Sequence, residues 1–301
     1  MVADTKVAVV GLGSMGMGIA RSILRAGLDV RGADVNPEAV ARFREAGGGA
    51  IAAPADYGDR DAVVIVVLNA AQTEAVLFGP QGIAPHLPQG AVIISCATVA
   101  PDFARAMEAR CAEAGLAYLD APISGGQVRA NDGSLTVMAA GSAAAFAGAR
   151  PVLDAMAGKV FELGEAAGPG SAMKAVNQLL VGVQLAAMGE AMTFGMTQGV
   201  SPEQFLEIIP QCAGTSWILE NRAPHVVAGD YTPLSAIDIW PKDLGIVTDI
   251  ARAAKFSAPL TAAALQQFLA ASGMGLGGED DAAIAKVYAR NARLTLPGEK
   301  G

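Results

Sequence analysis

The sequence predicts an α/β domain over residues 1–165 and an all-helical domain over residues 166–301, joined by a long helix. Three observations carry this. Short Val- and Ile-rich runs alternate with helix-like stretches through the first half. From Ser171 onward the β signal all but vanishes, replaced by long Ala-, Leu- and Met-rich periodic segments. A chain of 301 residues also suits two domains of ordinary size, each able to bury a core.

Taken in order, Val7–Val10 reads as a first strand that runs into Gly11-Leu12-Gly13-Ser14-Met15-Gly16, with a helix over Gly16–Ala26. A second strand ends at Asp34, and Glu38–Ala46 reads as a helix. Further strands are expected at Ala62–Leu68, Ala91–Ser95, Ala117–Leu119 and Thr136–Ala140, the last after a turn at Asn131-Asp132-Gly133. A helix is expected over Pro101–Ala114. Continuous apolar strands separated by helices predict a parallel sheet covered on both faces. In the second half the long helix spans about Ser171 to Gln198. Ser201 with Pro202 is a helix start, a side-chain cap followed by a proline whose missing N–H costs nothing there. Other helices are expected to begin near Ser216, Pro241 and Pro259.

A formal charge of −8 with no basic run argues against nucleic acid as a partner, because phosphate binding needs concentrated positive charge. Cys96, Cys111 and Cys212 are scattered, which fits reduced thiols in a cytoplasmic protein. Lys6–Val10 leads straight into a glycine turn and reads as a strand, not a leader peptide. The apolar segment Met173–Met196 carries Lys174, Asn177, Gln178, Gln184 and Glu190, which would be costly in a bilayer, so it reads as a buried helix. His86 and His225 show no metal-ligand spacing, and no metal is expected.

The glycine turn follows a strand, opens a helix and has an acidic residue about 20 positions on, the context in which this motif defines a Rossmann dinucleotide site. Gly11 permits the turn, Gly13 lets backbone approach the pyrophosphate, and Gly16 allows close packing of the helix. The N–H groups of Leu12, Ser14 and Met15 face the phosphates at the positive helix end. Asp34, with Val35 beside it, suits the adenosine ribose hydroxyls and would repel a 2′-phosphate, and no basic residue follows within a few positions. NAD is therefore the expected cofactor, in preference to NADP. Ligands of such sheets sit outside the carboxyl ends of strands, which brings in Leu68-Asn69 and Cys96-Ala97-Thr98. Thr98 serves as readily as a helix cap before Pro101.

Asp120–Gly126 ends in Ser124-Gly125-Gly126, a hydroxyl followed by two exposed N–H groups, either an anion-binding concavity or a plain turn. Lys174 lies one turn into the long helix among Ala172, Met173, Ala175 and Val176. Burial disfavours the charged form of an amine, which suits one for proton transfer; a solvated helix start is the alternative. Asn177 and Gln178 share its face at i+3 and i+4. Lys242-Asp243 reads as a surface ion pair.

Together these motifs resemble the β-hydroxyacid dehydrogenase family over essentially the whole chain, through Val9–Gly16, Asp120–Gly126, Gly168–Gln178 and Lys242-Asp243-Leu244. The resemblance implies a 6-phosphogluconate dehydrogenase-like fold that works as a homodimer or homotetramer on a small hydroxy acid. It implies that Lys174 is the catalytic group, that Ser124-Gly125-Gly126 holds the substrate carboxylate and that Asn177 orients the substrate. It also implies that Thr98 and Lys242 contact the nicotinamide side of the cofactor. Gln178 departs from the hydroxyisobutyrate branch, which has a second asparagine there, and fits the sugar-acid branches. Gln178 and Trp240 are expected to shape the substrate pocket. Rival readings are a semialdehyde reductase, an imine reductase and, from another class, a non-catalytic NAD sensor.

Overall fold

The computed structural model describes residues 5–299. The chain divides into two compact units, Met1–Lys174 and Ala175–Gly301.

In the first unit β1 (Lys6–Val10) leads into α1 (Ser14–Arg25), followed by β2 (Asp29–Ala33), α2 (Pro37–Glu45) and β3 (Gly49–Ala50). Next come β4 (Ala62–Ile65), α3 (Ala70–Phe78), β5 (Val92–Ser95), α4 (Pro101–Glu113) and β6 (Ala117–Asp120). The unit closes with β7 (Ile123–Ser124), α5 (Gly126–Asp132), β8 (Leu135–Gly141), α6 (Ala143–Met156) and β9 (Ala157–Glu162). Strand order is β3-β2-β1-β4-β5-β6-β8-β7, with β9 against β8. The pairs from β3 through β6 are parallel, as the continuous apolar runs require.

Alternate residues of each strand enter opposite cores, which is why the strands read as unbroken apolar runs. Val7, Val9, Val64 and Ile94 face the core built with α1 and α6. Ala8, Val63, Ile65 and Ile93 face the one shared with α4.

The expected strand Thr136–Ala140 is present within β8, but it runs antiparallel to β6 and β7. The expected turn at Asn131-Asp132-Gly133 is the end of α5, with Gly133 left-handed at its cap. The sequence reading missed β9, none of whose residues is fully buried, so it lacks a continuous apolar signature.

The second unit holds most of α7 (Pro169–Thr197), then α8 (Pro202–Ile208), α9 (Trp217–Ala228), α10 (Ile239–Ala253), α11 (Pro259–Ala271) and α12 (Ala285–Ala292). Ser201 and Ser216 cap their helices as expected, Ser201 in a reciprocal box with Gln204. Pro241 is the third residue of α10, whose cap is Asp238, so that helix begins two residues before the proline. By length and composition α7 could cross a membrane. Here it is the central helix of its unit, with Leu185, Met188 and Met192 in the core with Leu219, Leu244 and Phe268.

The first unit ends inside α7, at Lys174. The first turns of α7 belong to the α/β unit because Asp120 holds them. Its Oδ2 accepts the N–H of Gly168 and of Ser171, each at 2.9 Å, and its Oδ1 accepts the Ser171 hydroxyl at 2.7 Å. A Cβ on Gly170 would lie 2.5 Å from the Met138 carbonyl oxygen, so only glycine lets the helix start this close to the sheet.

Candidate active site

The glycine turn is shaped as its spacing predicts. Gly11 has φ +92°, and a Cβ there would lie 2.2 Å from the Val66 carbonyl oxygen. A Cβ on Gly16 would lie 1.8 Å from the carbonyl oxygen of Gly11, so α1 packs against its own turn. Gly13 differs from both. Nothing lies within 4 Å of where its Cβ would be, so its missing side chain leaves space for a ligand and not for the protein. As the N-terminal cap of α1, Gly13 has no side-chain acceptor to offer, and the helix's first N–H groups point into that space.

Asp34 follows directly on β2. One carboxylate oxygen accepts the N–H of Leu12 at 2.6 Å and the other that of Asn36 at 2.7 Å, which aims the group at the glycine turn with lone pairs to spare. These features fit a dinucleotide, with the turn at its phosphates and Asp34 at its adenosine ribose.

The other nucleotide residues are less uniform. Val35 is fully exposed, and Leu68, beyond the end of β4, is 60% exposed. The Asn69 side chain caps α3 by accepting the Gln72 N–H at 2.9 Å, an acceptor role already filled within the protein. Thr98 is not a helix cap, since α4 is capped by Ala100 without a side chain, and Thr98 stays half-buried just beyond the end of β5.

The Ser124 loop lies at the end of short β7, paired with Thr136. Gly125 and Gly126 both have positive φ, at 129° and 70°, a conformation open to glycine. Lys174 is buried to 9% exposure, and its Nζ donates to the Ile123 carbonyl at 2.9 Å, one residue before Ser124. The amine that resemblance makes catalytic is thus tied to the backbone of the loop that resemblance gives to the carboxylate. The pinned start of α7 sets that register. Burial pushes the Asp120 carboxyl above its ordinary range, only partly offset by its hydrogen bonds.

In the helical unit the polar stripe of α7 continues as a chain. Asn177 donates through Nδ2 to Gln178 Oε1 at 2.9 Å, and Gln178 donates through Nε2 to Asp243 Oδ2 at 2.5 Å. Lys242 Nζ lies 2.5 Å from Asp243 Oδ1, an ion pair short of hydrogen-bond geometry. Asp243 is only 2% exposed, so Lys242-Asp243 is no surface pair. The sequence reading missed Asp243, whose one signal was an acidic residue at a buried-face position of an amphipathic helix. Gln178 also differs from expectation, since its amide is held by Asp243 and supports Asn177. Gln178→Ala is expected to raise KM for the hydroxy acid about tenfold while the Kd for NAD stays within about twofold, the worth of one hydrogen bond to a charged group. An unchanged KM would show that Asn177 needs no such support.

Trp240 is not a pocket wall. It is 3% exposed, stacks on Phe268 at 5.3 Å and donates through Nε1 to Asp281 at 3.0 Å. Asp281 is also paired to Arg222, and this buried group knits α9, α10 and the segment before α12. The reason is size, since an indole with a polar edge fills a helical core once a carboxylate meets its N–H.

Fold and glycine turn together define a dinucleotide-dependent dehydrogenase, and the comparisons agree. Residues 6–164 match the NAD binding domain of 6-phosphogluconate dehydrogenase. Residues 168–288 match the domain described as NAD-binding of NADP-dependent 3-hydroxyisobutyrate dehydrogenase. The chain belongs to the β-hydroxyacid dehydrogenase family, and NAD is its cofactor. It is 51% identical to an L-threonate dehydrogenase from Cupriavidus necator over 97% of this chain and 98% of that one. It is 34% identical to a 3-hydroxyisobutyrate dehydrogenase from Pseudomonas aeruginosa over 88% and 91%. Among solved structures, a Salmonella typhimurium protein titled 3-hydroxyisobutyrate dehydrogenase superposes with a TM-score of 0.90. It shares 46% identity and covers 94% of this chain and 100% of its own.

Proposed function

We propose that this chain is an L-threonate dehydrogenase that oxidises the C2 hydroxyl to give 2-oxotetronate (2-dehydro-L-erythronate), with NAD preferred over NADP. The observation that carries the reading is Lys174, a buried amine anchored on Ile123 beside the Ser124 loop. Full-length similarity to L-threonate dehydrogenases supports the substrate. So does Gln178, which departs from the hydroxyisobutyrate branch at this position and fits the sugar-acid branches.

NAD supplies the hydride acceptor for the C2 hydrogen. Gly125 and Gly126 present backbone N–H groups for the substrate carboxylate, helped by the Ser124 hydroxyl. Lys174 takes the C2 hydroxyl proton as the carbonyl forms. Asn177, one helical turn on, orients the substrate hydroxyls, with Gln178 and Asp243 behind it. Thr98 and Lys242 serve the nicotinamide half, and Leu68 and Asn69 line the path of the nucleotide. Asp34 accepts from the ribose hydroxyls and disfavours a 2′-phosphate.

The protein acts in the cytoplasm as a homo-oligomer. Val176, Leu180, Val183, Ala187 and Phe194 recur at heptad spacing along α7. Val176, Leu180 and Phe194 are 55%, 52% and 66% exposed, an apolar stripe suited to a second copy.

The second reading, a 3-hydroxyisobutyrate dehydrogenase, has the name of the Salmonella structure in its favour. A panel of NAD and NADP with L-threonate, D-threonate, D-glycerate, L-serine and 3-hydroxyisobutyrate separates the two. L-threonate with NAD is expected to give the highest kcat/KM. Preference for 3-hydroxyisobutyrate would overturn the substrate assignment, and equal use of both cofactors would remove the role given to Asp34.

A further inference from the structure

In the α/β unit Arg60 faces Asp29 and Asp59, Arg105 faces Asp102, Arg110 faces Glu74 and Arg150 faces Glu162. Arg21 and Arg42 are placed differently. They line one cavity of about 290 Å³ with Gly13, Ser14, Gln127 and Asn131, and no carboxylate shares it. Arg21 lies two turns along α1 from Ser14, and its Nε is buried without a hydrogen-bond partner. Arg42, exposed on the second turn of α2, lines the same cavity. Asn131 is set in place by its carbonyl, which accepts from Arg25.

Two arginines that line one cavity with no acidic side chain in its lining leave their positive charge uncompensated there, which favours an anionic occupant. The surroundings specify its charge. Two guanidinium groups, two carboxamides and the positive end of α1 line one cavity, in a molecule whose formal charge is −8. Guanidinium forks match the oxygens of a phosphate. The volume falls just below the ~300–1,000 Å³ typical of sites for whole small molecules, and so suits one phosphate group beside an already seated dinucleotide.

We propose that Arg21 and Arg42 form a second phosphate subsite outside the glycine turn. The subsite takes a phosphate dianion, either the ribose 2′-phosphate of NADP or free inorganic phosphate. It rests on the placement of the dinucleotide at the glycine turn, and it gives the chain a residual hold on NADP that Asp34 opposes. The subsite was hidden from the sequence because Arg21 and Arg42 stand on separate helices, away from the residues just after β2 where a 2′-phosphate contact is sought.

The test compares wild-type protein with Arg21→Ala, Arg42→Gln and the double variant, first confirming equal Tm in phosphate-free buffer. Inorganic phosphate should raise the wild-type Tm, where sodium chloride of equal ionic strength does not, and each variant should lose that shift. By calorimetry, the Kd for NADP should weaken about tenfold in Arg42→Gln while that for NAD stays within about twofold. Loss of both effects assigns the subsite to the ribose phosphate, and loss of the Tm shift alone assigns it to free phosphate. The proposal is overturned if neither the phosphate shift nor NADP affinity depends on Arg21 and Arg42. Failure of wild-type protein to bind NAD would instead overturn the nucleotide turn, while the phosphate measurement would still stand on its own. If a variant melts early in phosphate-free buffer, Arg42→Lys is the substitute, and it should retain part of the shift.

Discussion

Lys174→Ala is expected to lower kcat for L-threonate about 10²–10⁴-fold, the range covered by a positioned general acid–base group. The Kd for NAD, measured by titration, is expected to stay within about twofold, because the glycine turn and Asp34 are held by backbone contacts that do not involve the lysine. Lys174→Arg separates charge from proton transfer. A guanidinium keeps the positive charge but does not give up its proton near neutral pH, so this variant should be as slow as the alanine one. Retention of more than about a tenth of wild-type turnover by Lys174→Ala would mean that another group takes the hydroxyl proton. Full activity in Lys174→Arg would mean that charge alone suffices.

The second large effect is expected at Asp120. Asp120→Ala leaves the N–H groups of Gly168 and Ser171 and the Ser171 hydroxyl without their acceptor, all in a buried setting. Orphaned buried donors cost about 1–3 kcal/mol each, and with partial relaxation the total is about 3 kcal/mol by urea unfolding. Turnover should fall with stability, because the freed start of α7 carries Lys174. Asp120→Asn is the conservative partner. Its amide oxygen can accept both backbone N–H groups while its NH₂ donates to the Ser171 hydroxyl, so most stability and turnover should return. Wild-type stability at the level of Asp120→Ala would remove the role given to this carboxylate.

The same pair carries a pH prediction. Burial raises the Asp120 pKa above its ordinary 3.8 in the folded protein, so the folded state keeps its proton longer than the unfolded chain. Stability from this group therefore declines as pH rises above 3.8 and levels off once the folded pKa is passed. Asp120→Asn should lack that component of the slope. Plots of stability against pH that stay parallel for wild type and Asp120→Asn as pH rises from 3.8 would contradict it.

Much of the site was legible because its signals are local. Gly11, Gly13 and Gly16 answer to constraints within one turn, and each shows its own reason in the structure: a positive φ, an open approach and contact with the turn. Lys174 stood out as a charge among small apolar neighbours, and that burial is real. Ser201 and Ser216 announced helix starts through residue type and spacing alone. Where reading failed, the deciding contact was long-range. Trp240 reads as a pocket residue from the sequence because large aromatics serve either role, and only the meeting with Asp281 and Phe268 places it in a core. Lys242-Asp243 looked solvated because nothing in the dipeptide indicates that Gln178, 65 residues away, bonds to its carboxylate.

By itself the sequence determined the alternation of strands and helices, the change to an all-helical second half, the nucleotide turn and the identity of the buried amine. These follow from periodicity, backbone freedom and polarity, which act over a few residues. The tertiary structure decided that β8 runs antiparallel, that Asp120 claims the start of α7 for the first unit, that Gln178 serves Asn177, and that Arg21 and Arg42 share one cavity. Each of these depends on which distant groups become neighbours once two apolar faces are buried, and no spacing along the chain encodes that.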